Sequence, residues 1–283
     1  MTDTDLRQLT PTLAHRRDLH TSRGDFAAIW TEPDEPCGTV LAVPGYTGSK
    51  EDFAPILNPL TAAGWAVVAV DQRGQYESAG SDDSAAYSTD ELGLDVAAMA
   101  ATICDGPVHL LGHSFGGLTT RSAVIADPAR FSSLTLMSTG PRHLEGSRKG
   151  VVEAAFALLG KLPMDQIYDL GQQLAGQDPA FFAPAEPLKS FYKDRFVRTA
   201  AISLLGMGQA MLSEPDRVEQ LRRTDVRTLV IYGESDNAWS PALQQTMANR
   251  LGAEVAIISG AAHSPAIENP SATFEALNNF WRA

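Results

Sequence analysis

The stretch LLGHSFGG, residues 110–117, decides the fold of this chain, because it sets a serine at a turn from an apolar strand into a glycine-rich helix start. Ser114 ends the apolar run, and Gly116 opens the helix that follows. A serine on so sharp a turn takes a strained backbone that excludes bulky neighbours, which explains Gly112 and Gly116. The pattern is typical of a nucleophilic serine, although a glycine-rich connection without chemistry would contain the same glycines. The partners of Ser114 must decide between the two.

Short apolar runs alternate with helical patterns on both sides of Ser114, which indicates parallel βαβ units. Strands are predicted at residues 38–45, 65–71, 107–114, 132–138, 226–233 and 253–260. Helices are predicted at residues 51–63, 88–103, 118–126, 241–251 and 271–281. Residues 12–31 favour two antiparallel edge strands. We therefore expect an α/β fold whose mostly parallel sheet is flanked by helices.

The alternation stops between residues 141 and 224, where the sequence is helical and irregular and contains no β-run. Because strands resume afterwards, the simplest organisation is one sheet interrupted by a helical insertion. We expect a core domain from residues 1–140 and 225–283 and a helical insertion at residues 141–224.

Composition and charge exclude several classes of partner. With 22 Lys and Arg against 34 Asp and Glu, the 283-residue chain carries a net charge of −12, which argues against nucleic acid or an anionic membrane as its main partner. The N-terminal residues contain no apolar core of signal-peptide length, and no run of about 18 apolar residues predicts a membrane span. We expect a cytoplasmic protein with no membrane partner.

No metal and no cofactor are expected. Cys37 and Cys104 are too far apart for a Cys-x-x-Cys site, and no His-x-x-x-His pattern or carboxylate cluster suggests a metal. Residues 206–208 read GMG and begin like a dinucleotide loop, but a third glycine and a preceding strand are missing. The sequence leaves the oligomeric state open.

A serine hydroxyl needs a base to become a nucleophile, usually a histidine that a carboxylate holds in place. His263 stands just after the predicted strand that ends at Gly260, where a side chain would project from the carboxyl edge of the sheet. His109 lies inside the strand of the serine, and His113 is next to the serine but is expected to point away from it. The remaining histidines, in polar terminal or loop sequence, are His15, His20 and His143. We therefore expect His263 to be the base.

Two carboxylates follow the predicted strand at residues 226–233. Asp236 is the better candidate for the acid, because the loop has turned over the sheet edge by then, whereas Glu234 is expected to face solvent or brace the loop. The order along the chain is then Ser114, Asp236, His263. Each follows a different strand, which is the order expected for the nucleophile-elbow architecture.

Acyl transfer also needs N–H donors aimed at the developing oxyanion. One is expected from the amide of Phe115, the residue after the nucleophile. The second is expected from the loop PGYTGSKEDF, where Gly45 allows close approach of the backbone and the Tyr46 amide is the donor. The same loop could be a plain turn before a helix capped by Ser49, and both descriptions can hold together.

The chain resembles the α/β-hydrolase superfamily, in the serine-nucleophile, esterase- and lipase-like branch with a helical cap between strands six and seven. The resemblance rests on VPGYTGS (43–49), DQRGQYES (71–78), LLGHSFGG (110–117), VIYGESD (230–236) and GAAHSP (260–265). It covers nearly the whole chain except the cap, or lid. It implies an eight-stranded sheet, triad roles for the serine, aspartate and histidine named above, and pockets shaped by the cap and the first loop.

Two departures from the family pattern affect the expected pocket. Pro44-Gly45 stands where many relatives have His-Gly, which leaves the backbone donor intact but removes a side chain that often orders the loop. Tyr76 replaces the second glycine of Asp-x-Arg-Gly-x-Gly-x-Ser, so Tyr76 or Gln75 could border the pocket or pack on the surface. Gly45 and Trp239, just past the acid, are further candidates for the pocket.

These residues predict a serine hydrolase that cleaves carboxylic esters of a small to medium, largely apolar substrate through an acyl-enzyme. A serine at the elbow argues against relatives with an aspartate nucleophile, the haloalkane dehalogenases and epoxide hydrolases. Thioesterase, lactonase, carbon–carbon hydrolase, perhydrolase and acyltransferase reactions use the same triad, and the sequence does not separate them. A ligand-binding protein without turnover is the alternative from another class.

Overall fold

One eight-stranded sheet organises the computed structural model, which describes residues 6–177 and 184–283. Its strands are β1 (His15–Thr21), β2 (Gly24–Thr31), β3 (Gly38–Val43), β4 (Trp65–Val70), β5 (Val108–His113), β6 (Phe131–Met137), β7 (Thr228–Gly233) and β8 (Glu254–Ile258). Across the sheet their order is β1-β2-β4-β3-β5-β6-β7-β8. β2 pairs antiparallel with β1 and β4, and every other neighbouring pair is parallel. The predicted α/β class with a mostly parallel sheet is confirmed.

The antiparallel pair near the N-terminus differs from the expectation in one respect. β1 and β2 form the expected hairpin, but only β1 lies at the edge of the sheet. β2 lies inside, because its residues Ala28–Thr31 pair with β4. The hairpin therefore extends the parallel sheet instead of lying beside it.

The helices of the described residues are α1 (Ala54–Ala62), α2 (Thr89–Ile103), α3 (Phe115–Ala126), α4 (Ser147–Phe156), α5 (Met164–Ala175), α6 (Leu188–Arg198), α7 (Ala201–Ser213), α8 (Val218–Arg222), α9 (Pro241–Leu251), α10 (Pro265–Glu268) and α11 (Pro270–Arg282). Five of these helices, α1, α2, α3, α9 and α11, lie close to predicted positions. Ser88 caps α2 by accepting a hydrogen bond from the Glu91 amide, as its sequence indicates. None of these helices has both the length and the apolar character needed to cross a membrane.

Two apolar layers cover the two faces of the sheet. Leu110 in β5 packs in the layer that includes α2 and α3, whereas the next residue, Leu111, packs in the layer that includes α1 and α11. Successive strand residues face opposite sides of a sheet, so both must be apolar where both sides are covered. This explains why the central strands read as continuous apolar runs.

Helices α4 to α8 lie between β6 and β7, and the described residues of this segment contain no strand. The predicted insertion, residues 141–224, includes residues 178–183, which lie outside the described residues. Both ends of the segment are tied to α3 through Arg121, whose buried guanidinium donates to the Gly140 and Pro141 carbonyls and pairs with Glu214 at 2.8 Å. The helical segment therefore begins and ends beside the helix that follows Ser114.

Candidate active site

Ser114 occupies the turn between β5 and α3 with φ 55° and ψ −121°, a conformation that non-glycine residues rarely adopt. A Cβ on Gly116 would lie 2.4 Å from the carbonyl oxygens of Val43 and Pro44. A Cβ on Gly112 would lie 2.2 Å from Oγ1 of Thr120. The residues two positions before and two positions after Ser114 must therefore be glycines for this turn to form, as the sequence pattern indicates.

Three side chains meet at the carboxyl edge of the parallel strands. Nε2 of His263 lies 3.0 Å from Oγ of Ser114, and Nδ1 of His263 lies 2.9 Å from Oδ1 of Asp236. Because an ionised carboxylate only accepts, Nδ1 carries the imidazole proton and Nε2 is left to accept from the serine hydroxyl. The structure thus brings together the three residues in the order and spacing that proton transfer from Ser114 requires.

The carboxylate of Asp236 is held by more than the histidine. Oδ1 also accepts from the Ala238 amide at 2.9 Å, and Oδ2 accepts from Nε2 of Gln244 at 2.8 Å. Burial alone would raise the pKa of Asp236. The hydrogen bond and charge attraction from His263, together with the hydrogen bonds from Ala238 and Gln244, outweigh this effect, so the pKa of Asp236 is lowered. Asp236 is therefore ionised near pH 7. Sequence reasoning missed Gln244, since a single amide in the exposed helical pattern of α9 gives no signal.

His113 forms its hydrogen bond with His263 and not with Ser114. Its Nε2–H donates to the main-chain carbonyl of His263 at 2.8 Å, and the two rings are 5.2 Å apart. Burial, followed by repulsion from His263, lowers the pKa of His113 to about 4, so its ring is neutral near pH 7. The sequence indicated that His113 faces away from Ser114 but gave no sign of this bond.

The other histidines take no part in this group. His109 contacts Ser133 at 2.8 Å and packs edge-on against Trp65. His15 and His20 are exposed, and His143 lies 3.3 Å from Glu145. Within residues 6–177 and 184–283, no three His, Cys, Asp or Glu side chains are placed to hold a metal ion.

The loop after β3 passes directly over Ser114. A Cβ on Gly45 would lie 3.1 Å from Cβ and 3.5 Å from Oγ of Ser114, so a larger residue would crowd the serine side chain. The next amide belongs to Tyr46, whose hydroxyl donates to the Leu204 carbonyl in α7 at 2.7 Å. Among the described residues, neither the Tyr46 amide nor the Phe115 amide donates to a protein group. These two N–H groups near Ser114 therefore have no acceptor within the described part of the chain.

Two glutamines of the loop after β4 hold the Gly45 loop. Nε2 of Gln72 donates to the Pro44 carbonyl at 2.9 Å, and Nε2 of Gln75 donates to the Gly45 carbonyl at 2.7 Å and the Tyr46 carbonyl at 3.2 Å. The sequence pointed to Gln75 as a possible border of the pocket and missed this contact. The side-chain amides of Gln72 and Gln75 therefore hold three successive carbonyls of the Gly45 loop.

Tyr76 contacts residues of α6 and the side chain of Lys50. Its hydroxyl is 3.1 Å from Oδ2 of Asp194, and its ring is within 5 Å of the cationic groups of Lys50 and Arg198. Burial and the neighbouring Asp194 raise its pKa to about 12. These contacts place Tyr76 against α6, and no described hydrogen bond or ring contact joins it to Ser114 or His263.

An apolar cluster, here called the Trp239 cluster, borders the three residues. It includes Tyr46, Phe115, Phe156, Met207, Met211 and Trp239. The Trp239 ring lies 6.5 Å from the His263 ring, and its Nε1 donates to the Arg142 carbonyl at 3.3 Å. Glu234 is exposed and accepts from the Gly260 amide at 2.9 Å, so it braces the loop before His263 as one of its two expected roles.

Comparison with known proteins agrees with this architecture. The model of the alpha/beta hydrolase family matches residues 40–277. The monoacylglycerol lipase of Mycolicibacterium smegmatis is 26% identical over 231 residues, which cover 80% of each chain. A hydrolase from Pseudomonas aeruginosa has a TM-score of 0.79 at 23% identity, with 96% of this chain and 100% of that chain covered. A carboxylesterase of Nitrososphaera gargenis has a TM-score of 0.78 at 17% identity, with 94% and 98% covered.

The family match extends over most of the chain and includes most of β3, all of β4 to β8, and Ser114, Asp236 and His263. The matches to the two solved structures cover nearly all of both chains in each comparison. At these sequence identities they show a shared fold. This chain belongs to the alpha/beta hydrolase family.

Proposed function

We propose that this protein is a serine hydrolase that cleaves carboxylic esters through an acyl-enzyme on Ser114. The observation that carries the proposal is the unbroken chain of contacts from Ser114 through His263 to Asp236, at 3.0 and 2.9 Å. It is supported by the strained serine turn, the two amides near Ser114 and the relative named a monoacylglycerol lipase.

In the first half of the proposed reaction, Oγ of Ser114 attacks the ester carbonyl while Nε2 of His263 takes its proton. The negative charge that develops on the carbonyl oxygen is accepted by the amides of Tyr46 and Phe115, each worth about 3–4 kcal/mol of transition-state stabilisation. Asp236 stabilises the imidazolium. When the intermediate collapses, the alcohol leaves with the proton from His263, and the acyl group remains on Ser114.

In the second half, water takes the place of the alcohol. His263 removes a proton from the water as it attacks the acyl carbonyl, and the same two amides receive the oxyanion. Collapse returns the proton to Oγ of Ser114 and releases the carboxylic acid. Each half uses the same base and the same donors, so the groups described here suffice for both.

The substrate is proposed to be small to medium in size and largely apolar. Residues 141–224 would act as a cap, since Phe156, Met207 and Met211 from that segment join Trp239 beside the triad. Ser114 is only 7% exposed and the His263 side chain 14%, so a substrate would be enclosed by this apolar surface. Enclosure of an ester also strengthens the interactions of the oxyanion with its donors.

Hydrolysis of p-nitrophenyl esters from acetate to dodecanoate tests the proposal. The protein should turn over one range of chain lengths, and Ser114→Ala should lose essentially all of this activity. Ser122→Ala is the matched control, because Ser122 lies on α3, is 4% exposed and contacts Arg217 instead of the triad. Absence of both turnover and fluorophosphonate labelling in the parent protein would favour a ligand-binding protein.

A further inference from the structure

Three successive carbonyls of the Gly45 loop accept hydrogen bonds from the same two side chains. Gln72 binds the Pro44 carbonyl, and Gln75 binds the carbonyls of Gly45 and Tyr46. Gln72 is 1% exposed and Gln75 is fully buried, so these bonds are shielded from bulk solvent. Such a set of bonds fixes the orientation of successive peptide units.

The bond to the Gly45 carbonyl has a direct consequence for the Tyr46 amide. The Gly45 carbonyl and the Tyr46 N–H belong to one peptide unit, and in a trans peptide the two groups point in opposite directions. The cis peptide of the described residues is at Glu186-Pro187, so the Gly45-Tyr46 bond is trans. Whatever holds the Gly45 carbonyl therefore aims the Tyr46 N–H.

Gly45 gives this bond its importance. A glycine has no Cβ to restrict its backbone, so the peptide that follows it can rotate more freely than after any other residue. Glycine suits this position because a Cβ would make a tight contact, 3.1 Å from Cβ of Ser114. The turn bond from the Gly48 amide also reaches the Gly45 carbonyl, at 3.2 Å, but the bond from Gln75 is shorter at 2.7 Å.

Gln75 is itself held in place. Oε1 of Gln75 accepts a hydrogen bond from the main-chain N–H of Gln72 at 3.0 Å. This bond directs Nε2 of Gln75 toward the Gly45 loop. The loop after β4 is fixed in turn by Ser78, which donates to the Asp71 carbonyl at 2.8 Å. The amide of Gln75 is thus a rigid donor and not a mobile surface group.

We propose that Gln75 is a positioning residue for the oxyanion site, which aims the Tyr46 N–H at the substrate by holding the Gly45 carbonyl. The proposal rests on the proposed function. In this role, a side chain from the loop after β4 orders the loop after β3. Gln75 touches neither substrate nor Ser114 in this role, and acts through the peptide unit alone.

Two variants test this role. Gln75→Leu removes the amide at similar size, and Gln75→Glu keeps the shape but replaces the donor with an acceptor that repels the carbonyl. Both should lower kcat on the best p-nitrophenyl ester about 10- to 100-fold with KM within about threefold, because the donor acts in the transition state. Binding of a trifluoromethyl ketone carrying the same acyl group, which forms an oxyanion adduct, should weaken by the same factor.

Ser78→Ala is the matched control, since it loosens the same loop but leaves the bonds to Gly45 and Tyr46 in place. Thermal unfolding of each variant identifies the folded material on which rates are compared. Equal kcat, KM and ketone affinity in Gln75→Glu and Ser78→Ala would overturn the proposal. If one Gln75 variant does not fold, the other carries the comparison.

The rate of fluorophosphonate labelling separates this proposal from the proposed function. Labelling also passes through negative charge on oxygen beside Ser114, so it should slow in both Gln75 variants even if no tested ester is turned over. If the parent protein is labelled but hydrolyses no ester, the ester proposal is contradicted. Slower labelling of the Gln75 variants than of the parent would still support the role of Gln75. Labelling at the parent rate in both variants contradicts that role.

Discussion

His113 donates a hydrogen bond from Nε2 to the main-chain carbonyl of His263 at 2.8 Å, so the residue before the proposed nucleophile holds the loop of the proposed base. The neutral ring makes this bond without adding positive charge beside His263. The turn that strains Ser114 and the loop that carries His263 are therefore joined by one side chain. Their relative position depends on this bond as well as on the sheet.

Replacing His113 should lower activity without removing it. His113→Leu loses a bond worth about 1 kcal/mol, so we expect kcat to fall about fivefold through poorer placement of His263. His113→Gln retains an N–H donor and should recover part of the loss. Steady-state kinetics of the two variants check this, and equal rates in Leu and Gln variants would show that the bond has no role.

Asp236→Asn should reduce kcat by about 1,000- to 10,000-fold with the fold intact, because an amide favours the wrong tautomer of His263. Glu234→Gln is the control, since Glu234 lies on the same loop and contacts the Gly260 amide. It should keep activity within a few-fold. Similar losses in the two variants would contradict the assignment of Asp236 as the acid.

The stability of the protein should fall in mild acid because of His109. Burial, with a smaller effect from Arg227, lowers the pKa of His109 from 6.5 to about 4. Between those values the unfolded chain binds a proton that the folded protein does not, so the free energy of unfolding decreases as the pH falls. In His109→Phe the decrease from pH 7 to pH 5 should be smaller by about 2 kcal/mol. Urea unfolding at both pH values measures it, and unchanged pH dependence would contradict it.

Phe156 should limit the length of the acyl chain. Its ring lies in the Trp239 cluster and next to Gly208, where a Cβ would come within 2.6 Å of it. Phe156→Ala should shift the preferred p-nitrophenyl ester toward longer chains. Val151→Ala, on the same helix but 70% exposed, should leave the preference unchanged. A chain-length profile that does not move in Phe156→Ala would exclude this residue from the pocket.

The sequence predicted the fold and the three triad candidates because these features have local signals. Apolar runs mark β3 to β8, glycines mark the turn at Ser114, and Asp236 and His263 each follow a strand end. Since parallel strands end at one edge, the three side chains could be expected to meet there.

The supporting side chains could not be predicted in the same way. Gln72, Gln75 and Gln244 act through single amides that reach a backbone or carboxylate of another segment. Such bonds depend on side-chain directions in three dimensions and leave no periodic pattern. The same holds for Tyr76, which the sequence allowed either to border the pocket or to pack on the surface, and whose hydroxyl contacts Asp194 of α6.

The most direct test of the account is a rapid-quench reaction of the parent protein with its best p-nitrophenyl ester, followed by intact and peptide mass spectrometry. A burst of p-nitrophenol and an acyl group on the peptide that contains Ser114 are expected, with both absent in Ser114→Ala. Turnover that persists in Ser114→Ala, or an acyl group on another residue, would contradict it.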